Sequence, residues 1–356
     1  MFKFIHTADI HLGANFRDSY FGGEIGNIRR KELWETFEKL INHVKEQKIE
    51  LLLIAGDLYE NDTFTFKDFF RLRGILESIP FTKIVIISGN HDKFHANSYY
   101  FTEKWPDNVT ILGKNGLDSI YFRDLNLNVI GYSWDNYSKN QSSIINNIEI
   151  NKDLSNILML HGDETSAYMD FDFNKLKDLN FDYIACGHIH KPKFIYDNIA
   201  YCGSLEPLDM SETGERGYIE GIIGENNTFK FKSFSKRKYL NCKVSIDTDM
   251  NYLNVINTIS QQTNHSDLDF LMLEINGIKA REFDIDILKE YLQREYFYVN
   301  IVDNSIVDFD LDRLRETYKD TLIQYYIDSF DHDGEIDPVE KKALYIGLSA
   351  LLQGVE

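Results

Sequence analysis

The chain has 356 residues, of which 43% are hydrophobic and 27% charged, with a formal net charge of −19 at pH 7. This length allows one large core with a smaller domain, or two to three domains. The apolar runs are too short to span a bilayer, and the N-terminal residues lead directly into a polar motif, which leaves no room for a signal peptide. These observations exclude a membrane-spanning protein and predict a soluble, cytoplasmic one.

The cysteines and the acidic balance narrow the class of protein further. Cys186, Cys202 and Cys242 are odd in number and lack metal-like spacing, so we expect small buried residues and no disulfide framework. Taken alone, the net negative charge argues against nucleic-acid binding, because phosphate backbones attract Lys and Arg. Basic clusters nevertheless occur at 29–31, 71–73 and 230–238. Each cluster is either a solvated surface or a guide for DNA, so net charge leaves the partner open.

The first part of the chain alternates strand-like and helix-like segments. Apolar runs without alternation are typical of strands that are covered on both faces, and Leu33, Phe37 and Leu40 lie at helical spacing. This alternation favours βαβ units with a largely parallel sheet, followed by antiparallel strands. In chain order, we predict a strand at 2–11, a helix at 29–48, a strand at 49–57, a helix at 67–78, strands at 85–87, 128–134, 155–163 and 182–190, and antiparallel strands within 200–209 and 217–235.

The character of the chain changes between Lys236 and Tyr239. We predict a small α+β domain with strands at 240–249, 270–278 and 297–304 and helices at 250–262 and 284–296. Two further helices, at 311–330 and 338–354, form a helical tail. They are joined by a segment in which Asp331, Asp333 and Gly334 resemble a calcium loop, but the spacing is wrong for an EF-hand. The expected domains are therefore 1–236, 237–305 and 306–356.

Polar side chains follow five apolar runs at the points where the predicted strands end. Carboxyl ends of buried strands are where α/β proteins place their ligands, and Gly next to most of these positions relaxes the backbone at sharp turns. We therefore predict a metal site, while His6, His43, His95, His265 and His332 are expected to be structural or surface residues. The strand ends carry, in chain order, Asp9 and His11; Asp57; Asn90, His91 and Asp92; His161 and Asp163; and His188 and His190.

The types of ligand restrict the metal. Histidine and carboxylate without cysteine suit divalent ions such as manganese, iron or zinc. Two neighbouring ions need a shared anionic ligand to offset their repulsion, and two-metal hydrolases hold such ions about 3.5–4 Å apart.

The series D-x-H, GD, GNHD, H and G-H-x-H over residues 9–190 resembles the calcineurin-like metallophosphoesterases. The resemblance implies an α/β fold, a two-layered β-sandwich flanked by helices, with the site at the carboxyl ends of the strands. It also implies two divalent ions, one held by Asp9, His11, Asp57 and His190 and the other by Asp57, Asn90, His161 and His188.

The same resemblance implies a mechanism. The ions would lower the pKa of a bridging water, and the resulting hydroxide would attack phosphorus in line with the leaving oxygen. His91 would be the catalytic residue that faces the substrate phosphate, stabilises developing charge or protonates the leaving group. Asp92 would orient His91 or cap the next segment.

Longer stretches resemble one branch of this family. "IHTADIHLG", "LLLIAGDLYEND", "GHIHKP" and "YCGSLEPLDMSETGERGY" are similar to the DNA-repair nuclease branch, in particular to SbcD-type exonuclease subunits and YhaO-like relatives. This implies a manganese-dependent DNA exonuclease or endonuclease subunit of an ATPase–nuclease complex. One departure is Glu60, where archaeal and eukaryotic members often carry a histidine, so a histidine-assisted step there is not carried over.

The branch also implies partners. Its tail docks on an SMC-like coiled-coil ATPase of the SbcC type, and the family commonly forms homodimers through helices of the catalytic domain. "FKDFFRLRGIL" is either that dimer surface or a core-facing helix. Two other functions stay open, a phosphodiesterase for nucleotides or other small phosphoesters and a DNA-end-binding scaffold with a vestigial site. The apolar tail residues that would form a docking surface, or pack on the protein's own core, are Leu322, Ile323, Tyr326, Ile327, Leu344, Leu348 and Leu352.

Overall fold

The computed structural model describes residues 1–16, 23–114, 116–134, 148, 150–164, 171–330 and 336–353. The chain divides into two compact units, Met1–Lys238 and Tyr239–Glu356. The calcium-like segment with Asp331, Asp333 and Gly334, together with His332, lies outside the described residues. No helix in the described ranges has the length and apolar character needed to cross a membrane.

The first unit contains two six-stranded sheets, ordered β12-β11-β1-β2-β3-β4 and β5-β6-β7-β8-β10-β9. Its strands are β1 (Phe2–Thr7), β2 (Leu51–Ala55), β3 (Lys83–Ile87), β4 (Val109–Ile111), β5 (Asp118–Phe122), β6 (Leu127–Gly131), β7 (Ser155–His161), β8 (Tyr183–Gly187), β9 (Lys193–Tyr196), β10 (Ile199–Tyr201), β11 (Gly217–Ile223) and β12 (Thr228–Ser233). Its helices are α1 (Gly23–Glu46), α2 (Phe66–Glu77), α3 (Tyr99–Thr102) and α4 (Phe173–Asp178).

The two sheets pack face to face over a shared hydrophobic core. Alternate residues of β2, such as Leu51 and Leu53, meet alternate residues of β7, such as Ile157 and Met159, in this core. The intervening residue Leu52 is also fully buried, so the central strands are covered on both faces. This double burial explains why their sequences are continuous apolar runs. The two-layered β-sandwich flanked by helices that the sequence predicts is confirmed.

The topology brings the ends of five strands to one edge. Strands β1, β2 and β3 are parallel neighbours in one sheet, and β7 and β8 are parallel neighbours in the other. Because parallel strands end at the same side of a sheet, the residues that follow them are collected there. The antiparallel pairs predicted late in this unit are also present, with β11 lying between β1 and β12.

The second unit begins with a three-stranded parallel sheet, β13-β14-β15, to which the short strand β16 adds at β14. Its elements are β13 (Tyr239–Ile246), α5 (Tyr252–Gln262), β14 (Phe270–Lys279), α6 (Ile285–Leu292), β15 (Tyr298–Asp303), β16 (Ile306–Val307), α7 (Leu311–Thr317), α8 (Leu322–Asp328) and α9 (Pro338–Gln353). Val255 on α5 and Leu288 on α6 are buried in a core with the sheet, so both helices pack on it. All three cysteines of the chain are buried, as expected.

The prediction of one helix over 311–330 was wrong. The helix stops at Thr317, and a new one starts at Leu322 after Thr321. Between them, Asp320 has a φ of 61°, a left-handed conformation that ends a right-handed helix. Amphipathic spacing continues across the break, which is why periodicity alone did not reveal it.

The apolar residues of the helical tail mostly form their own core. Ile323 and Ile327 of α8 and Leu344 and Leu348 of α9 are buried together. Tyr326 and Leu352 pack against this core from its margin, whereas Leu322 is 69% exposed. Of the two interpretations of this surface, packing within the chain is therefore the one that the structure supports.

Candidate metal centre

Three overlapping groups of side chains place their ligand atoms within 4.8 Å of one another among the described residues. Each group joins residues from different strand ends, so the topology of the two sheets creates the cluster. The groups are Asp9, His11 and His190; His11, Asp57 and His91; and Asp9, Asp57 and His161.

The backbone at the strand ends adopts conformations that most residues avoid. Asp9, His11, Asp57 and His188 have φ values of 51°, 50°, 51° and 97°. A left-handed conformation costs roughly 1–2 kcal/mol for a residue with a Cβ. Strain of this kind persists where the surrounding structure enforces it, and it clusters at functional sites.

Close packing explains the glycines beside these residues. A Cβ at Gly89 would collide with the carboxylate of Asp57 and the imidazole of His161. A Cβ at Gly187 would collide with the carbonyl oxygen of Ala55. Only glycine lets the backbone of β3 and β8 approach the buried imidazole this closely.

We call Asp9, His11, Asp57 and His190 the first ligand group. Its two histidines face each other, with 3.2 Å between their Nε2 atoms. Both donate from Nδ1 to a carboxylate, His11 to Glu60 at 2.7 Å and His190 to Glu212 at 2.6 Å. Such a bond fixes the tautomer and leaves the Nε2 lone pair available as a metal ligand. Burial opposes protonation of His190, but the hydrogen bond to Glu212 and the charges of Asp9, Glu212 and Asp57 together outweigh it and raise the pKa of this histidine.

We call Asp57, Asn90, His161 and His188 the second ligand group. The Nδ1 of His161 lies 2.8 Å from the carbonyl oxygen of Ala55, so its Nε2 points inward, 3.0 Å from Oδ1 of Asn90. The same Asn90 oxygen lies 3.1 Å from Nδ1 of His188. The backbone N–H of His188 donates to the carboxylate of Asp9, which ties the two groups together.

Asp57 lies between the two groups. Its Oδ2 is 3.2 Å from Nε2 of His161 and 3.7 Å from Nε2 of His11. Burial disfavours the charged carboxylate, but the neighbouring histidines outweigh burial, and the pKa of Asp57 is lowered. The other oxygen, Oδ1, accepts a hydrogen bond from the backbone of His91 at 2.8 Å. A carboxylate in this position can be shared by two cations.

His91 lies beside the groups and is open to solvent. Its side chain is 45% exposed, and its Nδ1 is 3.0 Å from Oε2 of Glu60. This hydrogen bond is the main cause that raises the pKa of His91 to about 9, so its imidazole is protonated at neutral pH. A polar pocket of about 330 Å³ adjoins it, bordered by Asn61, Lys93 and His95.

Asp92 connects the loops that follow β2 and β3. The structure records no hydrogen bond between its carboxylate and the imidazole of His91. Its carboxylate accepts from the backbone N–H groups of Asp57, Leu58 and Gly89 and from the hydroxyl of Tyr100. Burial and the nearby charge of Asp57 raise its pKa to about 6. Of the two roles expected from the sequence, capping the adjacent loop fits these contacts.

The structure brings all eight residues singled out as ligands or acid to this edge. Sequence reasoning missed two carboxylates that hold the histidines. Glu60 was noted only as a departure from a family pattern, although it contacts both His11 and His91. Glu212 lies in a quoted motif, but nothing in that motif indicated that it would contact His190, 22 residues earlier.

Residues 2–192 match the family of calcineurin-like phosphoesterases, and the chain belongs to this family. The family uses divalent metal ions, and the structure supplies candidate ligand groups for them. Membership of this family indicates a metal-dependent hydrolase of phosphoesters.

Three curated relatives are similar to the chain at modest identity. An uncharacterized metallophosphoesterase, YhaO from Bacillus subtilis, is 26% identical over 60% of this chain and 56% of its own length. One of the subunits of the nuclease SbcCD from Staphylococcus epidermidis is 23% identical over 67% of this chain and 70% of its own length. The DNA double-strand break repair protein Mre11 from Methanosarcina acetivorans is 23% identical over 93% of this chain, but the match spans only about half, 53%, of that relative.

Proposed function

We propose that the chain is a manganese-dependent DNA nuclease, an exonuclease or endonuclease that acts in DNA repair as the nuclease subunit of an SbcCD-like ATPase–nuclease complex in the cytoplasm. One observation carries the proposal: donor atoms from five strand ends converge around Asp57, with His91 and Glu60 beside them. The names of two relatives, a nuclease subunit and a DNA break repair protein, support DNA as the substrate.

The donor set fits two divalent ions. The first group, with Asp9, His11 and His190, would hold one ion, and Asn90, His161 and His188 would hold the other, with Asp57 shared. Histidine and oxygen ligands without cysteine suit Mn²⁺. When bound, such ions supply Lewis-acid polarisation of a phosphoryl oxygen and lower the pKa of water.

His91 is the proposed general acid. Its pKa of about 9 keeps the imidazole protonated near neutral pH, so it can donate to the leaving oxygen of a phosphodiester or stabilise charge that develops there. Its exposed side and the adjoining polar pocket leave room for the substrate.

The basic clusters supply little of the proposed DNA affinity. Arg29 is fully buried and pairs with Glu32 and Glu206. On the exposed surface of α2, Arg71 pairs with Glu38 in α1 and Arg73 pairs with Glu77. Because carboxylates neutralise these cations, we expect the isolated chain to bind DNA weakly and with strong salt dependence, and the ATPase partner to contribute basic surface.

The competing function is a phosphodiesterase for small esters, which the net charge of −19 and the paired arginines favour. The purified chain with Mn²⁺ should be assayed on end-labelled single- and double-stranded DNA beside a chromogenic diester, with Asp57→Asn as the inactive control. We expect all three substrates to be cleaved. Turnover of the small ester alone would overturn the nuclease assignment, and turnover of none would favour a scaffold.

The proposed ATPase docking surface lies on the last two described helices. The tail residues that stay exposed there are Leu322 and Tyr325 on α8 and Val339 and Ile346 on α9. Changing Leu322 and Tyr325 to serine should abolish co-purification with the coiled-coil ATPase and its ATP-dependent stimulation of DNA cleavage. Intrinsic hydrolysis of the chromogenic diester should not change, and a complex that survives both substitutions would exclude this surface.

A homodimer is also part of the proposal. On α2, Phe69 and Leu72 face the core, whereas Phe66 and Phe70 are about half exposed and their rings meet edge to face at 4.7 Å. Exposed phenylalanines of this kind are candidates for an interface. Phe66→Ser with Phe70→Ser should convert a dimer to a monomer in light scattering. A wild-type chain that is itself monomeric would remove the dimer from the proposal.

A further inference from the structure

Glu60 occupies a hydrogen-bonded turn three residues beyond Asp57. Its backbone N–H donates to the carbonyl oxygen of Leu12 at 3.0 Å, and its own carbonyl oxygen accepts from the backbone of Thr63 and Phe64. The turn that carries Glu60 is therefore tied to the loop that follows β1. This backbone fixes the point from which the side chain reaches into the metal centre.

The two carboxylate oxygens of Glu60 serve different histidines. Oε1 lies 2.7 Å from Nδ1 of His11, and Oε2 lies 3.0 Å from Nδ1 of His91. The two imidazoles meet edge to face, with 4.7 Å between their centres. One carboxylate thus connects a proposed metal ligand to the proposed general acid.

We propose that Glu60 is a dual positioning residue that aligns His91 with the first ligand group. Each contact makes Nδ1 a donor and directs Nε2 away from Glu60, toward the metal position for His11 and toward the pocket for His91. The proposal rests on the metal-dependent hydrolysis proposed above and adds a coupling between metal binding and the acid.

Glu212 provides a matched comparison within the same site. It contacts His190 at 2.6 Å in the way that Glu60 contacts His11, and the structure records no contact between Glu212 and His91. Loss of Glu212 should therefore affect metal binding alone. Loss of Glu60 should affect metal binding and also release His91.

The experiment compares Glu60→Ala, Glu212→Ala, His91→Ala and the double variant Glu60→Ala/His91→Ala in the full chain. Both glutamate variants should weaken Mn²⁺ binding in calorimetry by about 10–100-fold. At saturating Mn²⁺, Glu60→Ala should lose more of the parental kcat on a chromogenic diester than Glu212→Ala does. In the His91→Ala background, removing Glu60 should cost no further kcat.

The ring nitrogens of the histidines give a readout that is independent of turnover. In ¹⁵N-histidine NMR spectra without added metal, His91 should lose its fixed Nδ1 donor state in Glu60→Ala and keep it in Glu212→Ala. Glu60→Gln tests the same point if the alanine variant folds poorly, because one amide oxygen can accept from only one of the two histidines. An unchanged His91 signal in both Glu60 variants would overturn the proposal. So would a loss of kcat on removing Glu60 that is as large in the His91→Ala background as in the parent.

Failure of the nuclease assignment is separable from failure of this role. If the chain cleaves the diester but not DNA, the nuclease assignment fails, while the NMR and kcat comparisons still decide the role of Glu60. If no substrate is cleaved, the NMR comparison decides it alone.

Discussion

The two ligand groups share Asp57, but they hold their histidines by different means. In the first group, both histidines are backed by carboxylates: His11 donates to Glu60 at 2.7 Å and His190 to Glu212 at 2.6 Å. Both partners are anions. Burial disfavours the charged form of Glu60, but hydrogen bonds from His11 and His91 and the charges of these histidines together lower its pKa to about 2.

In the second group, a backbone oxygen backs one histidine and a more distant carboxylate lies behind the other. The Nδ1 of His161 meets the carbonyl oxygen of Ala55, and Nε2 of His188 lies 3.8 Å from Oδ2 of Asp163, while its Nδ1 faces Asn90 of the same group. A carboxylate behind an imidazole makes it a more basic ligand than a neutral oxygen does. Two positions with similar ligands therefore need not be equivalent, and we expect the first to bind its ion more tightly.

The largest effect should follow from changing the residue that belongs to both groups. Asp57→Asn removes the shared charge while keeping a residue that tolerates a φ of 51°. We expect loss of at least one ion and of hydrolysis down to the background rate. Metal content by mass spectrometry and diester turnover check this, with Asp118→Asn on the exposed strand β5 as the control. A variant that retains two tightly bound ions would show that the groups do not depend on a shared carboxylate.

The second-largest effect should follow from changing His91, which is outside both ligand groups. Its alanine variant should lose about 10²–10⁴ in kcat, the usual contribution of general acid catalysis. Metal content should stay at the parental value, because the contact of His91 with Asp57 is made by its backbone. His265→Ala in the second unit is a control for loss of a histidine as such. Parental activity in the His91 variant would exclude its role as the acid.

Glu212→Gln should reduce the difference between the two ion positions. Replacing the anion behind His190 should weaken the first ion by about 10–100-fold and leave the second unchanged, which would reduce the difference between the two affinities. Calorimetry with two-site fitting measures both. Glu215→Gln, a nearby exposed glutamate that pairs with Lys238, is the matched control. Equal weakening of both ions would show that the groups act as one unit.

Sequence reasoning located the strand ends but not what supports them. Buried parallel strands are continuous apolar runs, so the polar residues that follow them, such as Asp57 and His161, are visible as a pattern. The fold class follows from the same signal. Partners such as Glu212 leave no such signal, because only tertiary folding brings them to their histidines.

Contacts made by the backbone and ion pairs between distant segments were equally difficult to predict from the sequence. The partner of His161 is the backbone carbonyl oxygen of Ala55. Any residue type at this position would provide that oxygen, so the sequence does not indicate the contact. The cluster containing Arg29 resembles basic surface in sequence, yet this residue is buried between Glu32 and Glu206. Ion pairs between distant segments depend on how the helices and loops pack, which local charge patterns do not encode.

His6 offers a third histidine environment, in which neither carboxylate nor metal ligand is involved. It lies in β1, fully buried, with Nδ1 2.9 Å from the hydroxyl of Tyr183. Burial disfavours its charged form and lowers its pKa from 6.5 to about 3 despite a hydrogen bond with the backbone of Cys186. The folded protein thus keeps His6 neutral at a pH where the unfolded chain binds a proton.

Because the pKa is lower in the folded state, this histidine costs stability as pH falls from 6.5 toward 3 and costs nothing above that range. At pH 5 the cost is about 2 kcal/mol in the free energy of unfolding. His6→Gln removes this titration, so the parent should lose about 2 kcal/mol more than the variant between pH 7 and pH 5 in urea denaturation. Equal losses would mean that His6 can be protonated within the folded protein. Burial without a neighbouring carboxylate would then not determine the charge of a histidine in this fold.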